Sequence, residues 1–406
     1  MDRGKHMLKG KIVILGVTGG IAAYKAVELL RLLTKAGAVV HVIMTKAATE
    51  FVAPLTFQTL SGNPVHLELF NLISEQEIGH ISLADRADLF LVAPATANFI
   101  GKVANGIADD LLTTTIMATK APVLIAPAMN CNMFDNPIYQ ENEQKLRSSG
   151  YRFVDPVTGQ LACGWEGKGK MQEPVVICEA AIALLARQDL AGETVLVTAG
   201  PTREEIDPVR FVSNHSSGKM GYAIARAARR RGAKVILVSG PVCLESPYGV
   251  ETVRVKTAVE MRDAVMSRVA EAGIVVKSAA VADYRPVKRA GSKIKKSDGA
   301  LSIELEKNPD ILAEIGQSKQ GAIVVGFAAE TDDLLANAGK KLEKKNLDMI
   351  VANDIGEPGA GFDLDTNIVR ILYRDGRVEE PGIMSKDNLA DFIIDRILLL
   401  KSRSSD

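Results

Sequence analysis

An apolar run, a glycine-containing turn and an amphipathic stretch follow one another near residue 11, and the same succession starts again near residue 194. In the first case residues 11–16 read as a strand that turns through Val17-Thr18-Gly19-Gly20 into a helix over 21–36, which Gly37 ends before a strand over 39–44. Further strands are expected over 89–93 and 122–126, with a closing helix near 175–187. A short polar stretch, 188–193, precedes the restart: strand 194–199, helix 217–231, strand 234–239, then strands 274–279, 322–327 and 349–353. A hairpin-like pair, 367–373 and 377–380, flanks Asp375-Gly376. Strand–helix alternation of this kind predicts parallel sheets covered by helices on both faces. The reading is α/β, in two domains of residues 7–189 and 190–402.

The bulk numbers narrow the function. Lys plus Arg and Asp plus Glu both total 49, a balance that argues against nucleic acid or an anionic membrane as the main partner. Hydrophobic residues make up 47% and charged ones 24%, enough apolar material for two globular cores. The four cysteines (131, 163, 178 and 243) show no Cys-x-x-Cys spacing, so neither a disulfide framework nor a zinc site is indicated and a reducing cytoplasm fits. The start lacks the apolar core of a signal peptide, and residues 1–6 read as an extension ahead of Met7. No apolar run approaches the roughly 20 residues of a membrane span.

In the first half, Gly16-x-x-Gly19-Gly20 misses the Gly-x-Gly-x-x-Gly fingerprint, and the second strand ends in Thr45-Lys46 instead of an acidic residue. NAD is therefore disfavoured. A glycine turn at a helix N-terminus still offers N–H groups to one phosphate, which suits a mononucleotide. The string Pro127-Ala-Met-Asn-Cys-Asn-Met-Phe134 follows the apolar run 123–126, where the proline is expected to stop the ladder. It places two amides just past a strand's carboxyl end, and two methionines offer soft surface to a flat ring.

Together with Gly79-His80-Ile81, Pro94-Ala-Thr-Ala-Asn98 and Ala162-Cys163-Gly164, that string resembles the flavin-dependent cysteine decarboxylases, and the last segment narrows the resemblance to phosphopantothenoylcysteine decarboxylase. It covers roughly residues 8–187 and implies a flavodoxin-like fold. It also implies FMN contacts at Gly16, Thr18, Gly19, Gly20, Thr45, Pro94, Ala95, Thr96, Asn98 and Met129. A cysteine carboxylate does not lose CO₂ readily, because the carbanion left behind has nowhere to put its charge. Oxidation of the thiol-bearing carbon to a thioaldehyde supplies that sink. The resemblance gives His80 the flavin step, as base or orienting group, Asn130 the substrate carboxylate, and Cys163 the protonation of the enethiol. Cys163 sits beside Gly164, Gly167 and Gly169, a segment read as a mobile lid that carries the chain's single tryptophan, Trp165. Cys131, Cys178 and Cys243 are expected to be structural.

In the second half a long polar loop, Gly200 to Gly221, precedes a helix. Its Gly218-Lys219 lacks both the upstream glycine and the following Ser or Thr of a phosphate loop, while Ser216 and Ser217 read as N-caps. This loop resembles that of phosphopantothenoylcysteine synthetase. So do Ala279 to Pro286, Lys293-Ile-Lys295-Lys296, Asn308 to Ile311, Val325 to Thr331, and Lys341 to Asn346 followed by Asp348 and Asn353-Asp354. The match covers about 191–400. A carboxylate becomes open to attack by an amine only once its oxygen can leave, and nucleotidyl transfer achieves this with cations and Mg²⁺ around a triphosphate. The resemblance implies nucleotide contacts at Asp283, Lys293, Pro309, Asp310, Ile311, Leu312, Phe327, Lys341 and Lys345. It implies acyl contacts at Arg210, Asn214 and Ala279, catalytic roles for Asn214 and Lys293, and a closing flap over 291–299. CTP is the expected nucleotide, although no residue distinguishes cytosine from adenine. The metal ligands stay open. Arg229-Arg230-Arg231 reads as structural, ending a helix where cations suit the dipole.

The whole chain thus resembles the bifunctional decarboxylase–ligase of coenzyme A biosynthesis, which implies a homo-oligomer of trimeric flavin domains and dimeric ligase domains in a dodecamer. Two rivals are a dinucleotide-dependent oxidoreductase, opposed by the failed fingerprint, and a flavin-binding regulatory subunit, opposed by the complete ligase strings.

Overall fold

A computed structural model of the chain describes residues 7–69, 79–160, 164–295, 301–330, 334–354 and 364–404. It divides into two compact units, residues 5–186 and 187–406.

In the N-terminal unit, strands β1 (Ile12–Val17), β2 (Val39–Met44), β3 (Val65–His66), β4 (Leu89–Ala95), β5 (Val123–Pro127) and β6 (Arg152–Phe153) form one parallel sheet. Their order is β3-β2-β1-β4-β5-β6. The helices are α1 (Ala23–Lys35), α2 (Pro54–Ser61), α3 (Gly79–Arg86), α4 (Ala97–Ala104), α5 (Leu111–Ala118), α6 (Cys131–Phe134), α7 (Pro137–Ser148) and α8 (Pro174–Leu185). Central strands apolar on both faces need helices on both. Val13, Leu15 and Val17 of β1 face one core with Leu29, Leu30 and Leu33 of α1 and Ile177 of α8. Ile14 faces the other, with Phe99, Leu112 and Ile116. The three α1 leucines share one side through their helical spacing.

Two details differ from the sequence reading. The ladder does not stop before Pro127: that residue ends β5 opposite Ala95, and the next N–H, from Ala128, donates to Ala95 O at 2.9 Å. The glycine-rich segment is not an open loop either. It forms an antiparallel pair of β7 (Val157–Gln160) and β8 (Glu166–Lys170).

The C-terminal unit repeats the plan. Its strands are β9 (Thr194–Ala199), β10 (Arg203–Glu205), β11 (Phe211–Ser213), β12 (Lys234–Ser239), β13 (Glu251–Arg254), β14 (Ile274–Lys277), β15 (Tyr284–Pro286) and β16 (Leu305–Lys307). They continue with β17 (Ile323–Glu330), β18 (Met349–Asp354), β19 (Thr366–Tyr373), β20 (Val378–Glu379) and β21 (Ile383–Ser385). The main sheet runs β13-β12-β9-β14-β17-β18-β19-β20, with β21 also on β19; it is parallel through β18 and antiparallel from β19 on. Small antiparallel pairs are β10 with β11 and β15 with β16. Helices α9 (Lys219–Arg230) and α13 (Lys386–Ser404) cover one face, through Tyr222, Ile224, Ile393 and Ile397. Helices α10 (Ala258–Met266), α11 (Ile311–Ser318) and α12 (Leu334–Lys344) cover the other.

Neither Ser216 nor Ser217 caps α9. The capping position belongs to Gly218, left-handed at φ 75° and without a side-chain cap, where a Cβ would lie 2.8 Å from Val242 Cγ1. The arginine triplet is structural as expected: Arg231 binds Asp189 and Asp395, Arg230 lies 3.8 Å from Asp391, and Arg229 donates to Gly249 O.

In both sheets the strand order reverses once, between β1 and β4 and between β9 and β14. Connections diverge there and open a crevice at the carboxyl edge. Thr18 holds the first crevice together: its buried hydroxyl donates to Pro94 O at 2.8 Å and accepts from Thr96 N at 3.0 Å. Thr18→Val keeps the shape but orphans the Thr96 N–H, so it should cost about 1–3 kcal/mol in the N-terminal unit. Thr34→Val, which alters an exposed helix-to-backbone bond, is the control. Denaturant unfolding showing equal effects for both would contradict the bridging role.

Candidate active sites

The first crevice collects most of the expected flavin contacts. Gly16 pairs with Ile43 and Val92 inside β1, and Leu112 Cδ1 would lie 2.6 Å from a Cβ there, so packing already requires its missing side chain. Gly19 passes Ala47 so closely that a Cβ would meet the Ala47 Cβ at 2.4 Å. Thr45 N donates to Val17 O, and its hydroxyl caps the following 3₁₀ turn. Pro94 and Ala95 are buried at the end of β4, Thr96 caps α4 through the Phe99 N–H, and Asn98 stands exposed in the first turn of that helix. Gly20 has only Thr96 Cγ2, at 3.7 Å, near its open side.

Past β5 the chain rises through Met129, whose N–H donates to Gly169 O at 3.0 Å. Asn130 Oδ1 accepts from Asn132 N at 2.8 Å and so caps α6. Strand β8 lies directly on this turn. A Cβ on Gly169 (φ 150°) would be 2.4 Å from Met129 O, and one on Gly167 would be 2.7 Å from Cys131 Cβ. Two of the three glycines read as signs of mobility, Gly167 and Gly169, are thus points of close contact against the Asn130 turn, while a Cβ on Gly164 would meet nothing within 4 Å. Trp165 is 56% exposed beside β8, and Cys163 lies outside the described residues. Among the three other cysteines, Cys131 and Cys178 are buried and Cys243 is exposed, so the structural expectation fails for the last. Burial, then the charge of Glu179, pushes the Cys178 thiol up to about 12.

His80 lies in the first turn of α3, and its Nδ1 is buried with no hydrogen-bond partner among the described residues. Such an atom costs free energy unless a further group meets it. An orphaned ring nitrogen, closely approaching backbone turns and flanking amides fit a planar cofactor with polar edges.

The second crevice opens into a cavity of about 480 Å³. Of the expected residues, Asn214, Ala279, Asp283, Leu312, Phe327, Lys341 and Lys345 line it. Asn214 Nδ2 donates to Val281 O at 3.0 Å. Arg210, Lys293, Pro309, Asp310 and Ile311 do not line it. Ile311 is core, packed with Leu312 and Ile315, so its side chain offers a nucleotide nothing. Asp310 caps α11 and pairs with Lys345 at 3.1 Å. Burial works to raise the Asp310 carboxyl. The Lys345 and Ala313 hydrogen bonds, with the charges of Lys345 and Lys277, outweigh it and hold the group below its usual range.

Arg210 and the flap are tied to each other. The guanidinium donates to Ile294 O at 2.5 Å, and the Ile294 N–H donates to buried Asp207, which also faces Arg210. Lys293 and Lys295 are exposed on this segment, and Lys296 lies outside the described residues.

Lys277, at the end of β14, had no role in the sequence reading, yet it lines the cavity and donates to Ala279 O at 3.2 Å. Burial first, then the charges of Lys345 and Lys341, lower it to about 8 against the pull of Asp310 and Asp283. A lysine closing the apolar run Ile274–Val276 was the available signal. Asn353, Asn367 and Lys386 also line the cavity. Among the described residues no three His, Cys, Asp or Glu gather as a metal site, and no helix is long and apolar enough to cross a membrane.

Comparison with known proteins agrees with this division. Residues 1–186 match the flavoprotein family, and residues 190–400 match the DNA/pantothenate metabolism flavoprotein C-terminal domain. The chain is 51% identical over 404 residues to the coenzyme A biosynthesis bifunctional protein CoaBC of Bacillus subtilis, covering 98% of this chain and 100% of that one. It is 49% identical to the protein of the same name from Vibrio cholerae, covering 95% and 98%. A crystal structure of the C-terminal domain of a CoaBC protein aligns at 43% identity and TM-score 0.46, covering 54% of this chain and 100% of that one.

The depressed Lys277 value makes the stability of the C-terminal unit pH-dependent. From about 8 up to the ordinary 10.5 the unfolded chain holds a proton that the folded one has lost, so stability rises with pH across that window. The folded state bears the cost of the buried charge below about 8 and is relieved of it above 10.5. Relative to Lys277→Met, the wild-type unfolding midpoint should climb through the window. A constant difference would contradict the burial account.

Proposed function

The chain belongs to the family of bifunctional coenzyme A biosynthesis proteins, and from that premise we propose that it performs two successive steps. Residues 190–402 join cysteine to 4′-phosphopantothenate through an acyl-cytidylate made from CTP. Residues 7–189 decarboxylate the product to 4′-phosphopantetheine with FMN. One observation carries the ligase assignment most directly: Asn214, Ala279, Asp283, Phe327, Lys341 and Lys345 come from separate strings and line one cavity.

In the ligase, the Asn214 and Ala279 side of the cavity takes the acyl group. Lys341, Lys345 and Lys277 meet triphosphate oxygens as compact ammonium donors. Placing an anion there raises the Lys277 value back toward the charged form. Mg²⁺ enters with the nucleotide, since a small hard cation keeps phosphate oxygens and water as ligands. Arg210 and Lys293 belong to the tied flap and reach the substrates when it moves.

In the decarboxylase, bound FMN supplies the two-electron oxidation of the thiol-bearing carbon. The orphaned His80 Nδ1 meets the cofactor edge or the substrate thiol. Asn130 spends its oxygen on the α6 cap, so its Nδ2 donors are the atoms suited to a carboxylate. A neutral amide serves better than a cation, which would stabilise the group that must leave. Cys163 protonates the enethiol. The exposed Ile21, Tyr24, Phe51 and Leu55 support self-association of the flavin half.

Incubation with 4′-phosphopantothenate, cysteine, Mg²⁺ and each of the four nucleoside triphosphates in turn tests the ligase reading by mass spectrometry. CTP should give CMP, pyrophosphate and 4′-phosphopantetheine, and Lys341→Gln should raise the KM for CTP about 10-fold while leaving flavin content unchanged. Equal turnover with ATP would contradict the cytidine assignment. No pyrophosphate with any nucleotide would contradict the ligase.

A further inference from the structure

Asp207 lies in the turn between β10 and β11 and is 1% exposed, yet the ligase reading gives it no task. Its Oδ1 accepts from the N–H groups of Val209 and Arg210, both at 2.8 Å. Those two bonds belong to the turn itself, a common use of an aspartate there. The second oxygen is not spent on the turn alone. Oδ2 accepts from Ile294 N, 87 residues further along the chain, at 3.1 Å, and faces Arg210 Nε at 3.2 Å. Burial works to raise the carboxyl, but the Val209, Ile294 and Arg210 N–H groups and the Arg210 charge outweigh it and hold the group below its usual range. A carboxylate has acceptors only, so both oxygens suit the donors that face them.

Ile294 is thereby clamped at both of its backbone groups. Its N–H goes to Asp207, and its carbonyl accepts from Arg210 Nη2 at 2.5 Å. A third bond fixes the base of the same segment, from Ala290 N to Ile206 O at 2.9 Å. Lys293 is the neighbouring residue, so its Cα stays about 3.8 Å from a clamped one. Arg210 is held by its backbone too, since its N–H donates to Asp207 Oδ1 and its carbonyl accepts from Ile206 N at 2.9 Å. One buried carboxylate therefore sets the places of two cations that come from separate stretches of chain. Neither cation lines the cavity, but the turn is only the three-residue strand β11 away from Asn214, which does. The clamp lets the two cations approach the cavity as one piece.

Resting on the ligase reading, we propose that Asp207 is a positioning residue for acyl activation: through Ile294 and Arg210 it keeps the flap lysine Lys293 and the acyl-binding Arg210 in one unit, so that both cations reach the reacting groups together. Asp207 itself touches no substrate. Two long side chains placed independently would each lose side-chain and loop freedom as the transition state forms. A shared buried anchor has ordered them beforehand, which is how a residue away from the chemistry affects kcat.

Two measurements on the full chain test this. Asp207→Asn sets an amide N–H against one of the donors and so opens the clamp. Trypsin, with fragments read by mass spectrometry, should then cut after the exposed Lys293 and Lys295 about 10-fold faster than in the wild type. In pyrophosphate release the same variant should lower kcat about 10-fold or more and shift the KM for CTP by less than about 2-fold. Combined with Lys293→Gln, its loss should fall short of the product of the two single losses by about 5-fold or more, since both act through one flap. Losses that multiply in full, an unchanged kcat or unchanged cleavage would each overturn the proposal. Should Asp207→Asn misfold, Ile294→Pro removes the flap's N–H donor, leaves Asp207 in place and must show the same cleavage and kinetics. The ligase reading fails separately: a wild type that releases no pyrophosphate with any nucleotide, while cleavage still distinguishes it from the variant, would discard the reaction and leave the clamp.

Discussion

Both sites depend on how two neighbouring parallel strands are held where their connections part. At that point ladder hydrogen bonds end and the turns would separate, so another group has to join them. In the N-terminal unit Thr18 does so through Pro94 O and the Thr96 N–H. In the C-terminal unit Thr202 accepts from Ala282 N at 3.0 Å, and Ala280 N donates to Gly200 O at 2.9 Å. Thr198 Oγ1 accepts from Ala279 N, and Ser278 Oγ donates back to Thr198 O. These bonds fix Ala279 and the start of the Asp283 segment in one unit, and the Pro94–Thr96 turn in the other. The crevices are therefore preformed, with backbone N–H groups and short polar side chains set on rigid strand ends.

The two crevices are then tuned by different electrostatics. Around the first, uncharged groups dominate: Thr45, Thr96, Asn98 and Asn130. That suits a reaction that must release a carboxylate as CO₂ and gains nothing from holding it as an anion. The second gathers Lys277, Lys341, Lys345 and Lys386 with two acidic neighbours, Asp283 and Asp310. Burial first, and then the charges of Lys345 and Lys341, lower Lys277 to about 8. A polyanion beside Lys277 draws that group back toward its charged form, so its binding offsets part of the burial cost.

How much of this was legible in the sequence follows from what each residue had to satisfy. The strands Thr194–Ala199 and Lys234–Ser239 appear at their expected bounds because each is apolar on both faces. The start of α9 was misplaced because Gly218 takes the cap for reasons of close chain approach, which no local pattern carries. Glycines in β8 were read as flexibility, since their contacts with Met129 and Cys131 are distant in sequence. Strings resembling those of the ligase family brought in Asn214, Asp283 and Lys341 as site candidates, and all three line the cavity. They also drew in Ile311, whose position in the string is a helix's first core residue. Asn367 and Lys386 stayed invisible because antiparallel β19 and the start of α13 reach the carboxyl edge only through the topology of the sheet.

The central claim is that one chain first makes an amide at one crevice and then removes CO₂ at the other. Supplying the full-length protein with 4′-phosphopantothenate, CTP, Mg²⁺ and cysteine labelled with ¹³C in its carboxyl group, and counting labelled CO₂ against CMP, tests it directly. The two should appear in equal amounts, with no CO₂ when CTP is withheld and CO₂ restored without CTP when phosphopantothenoylcysteine is added. Labelled CO₂ in the absence of CTP, or CMP accumulating with no CO₂, would contradict the account.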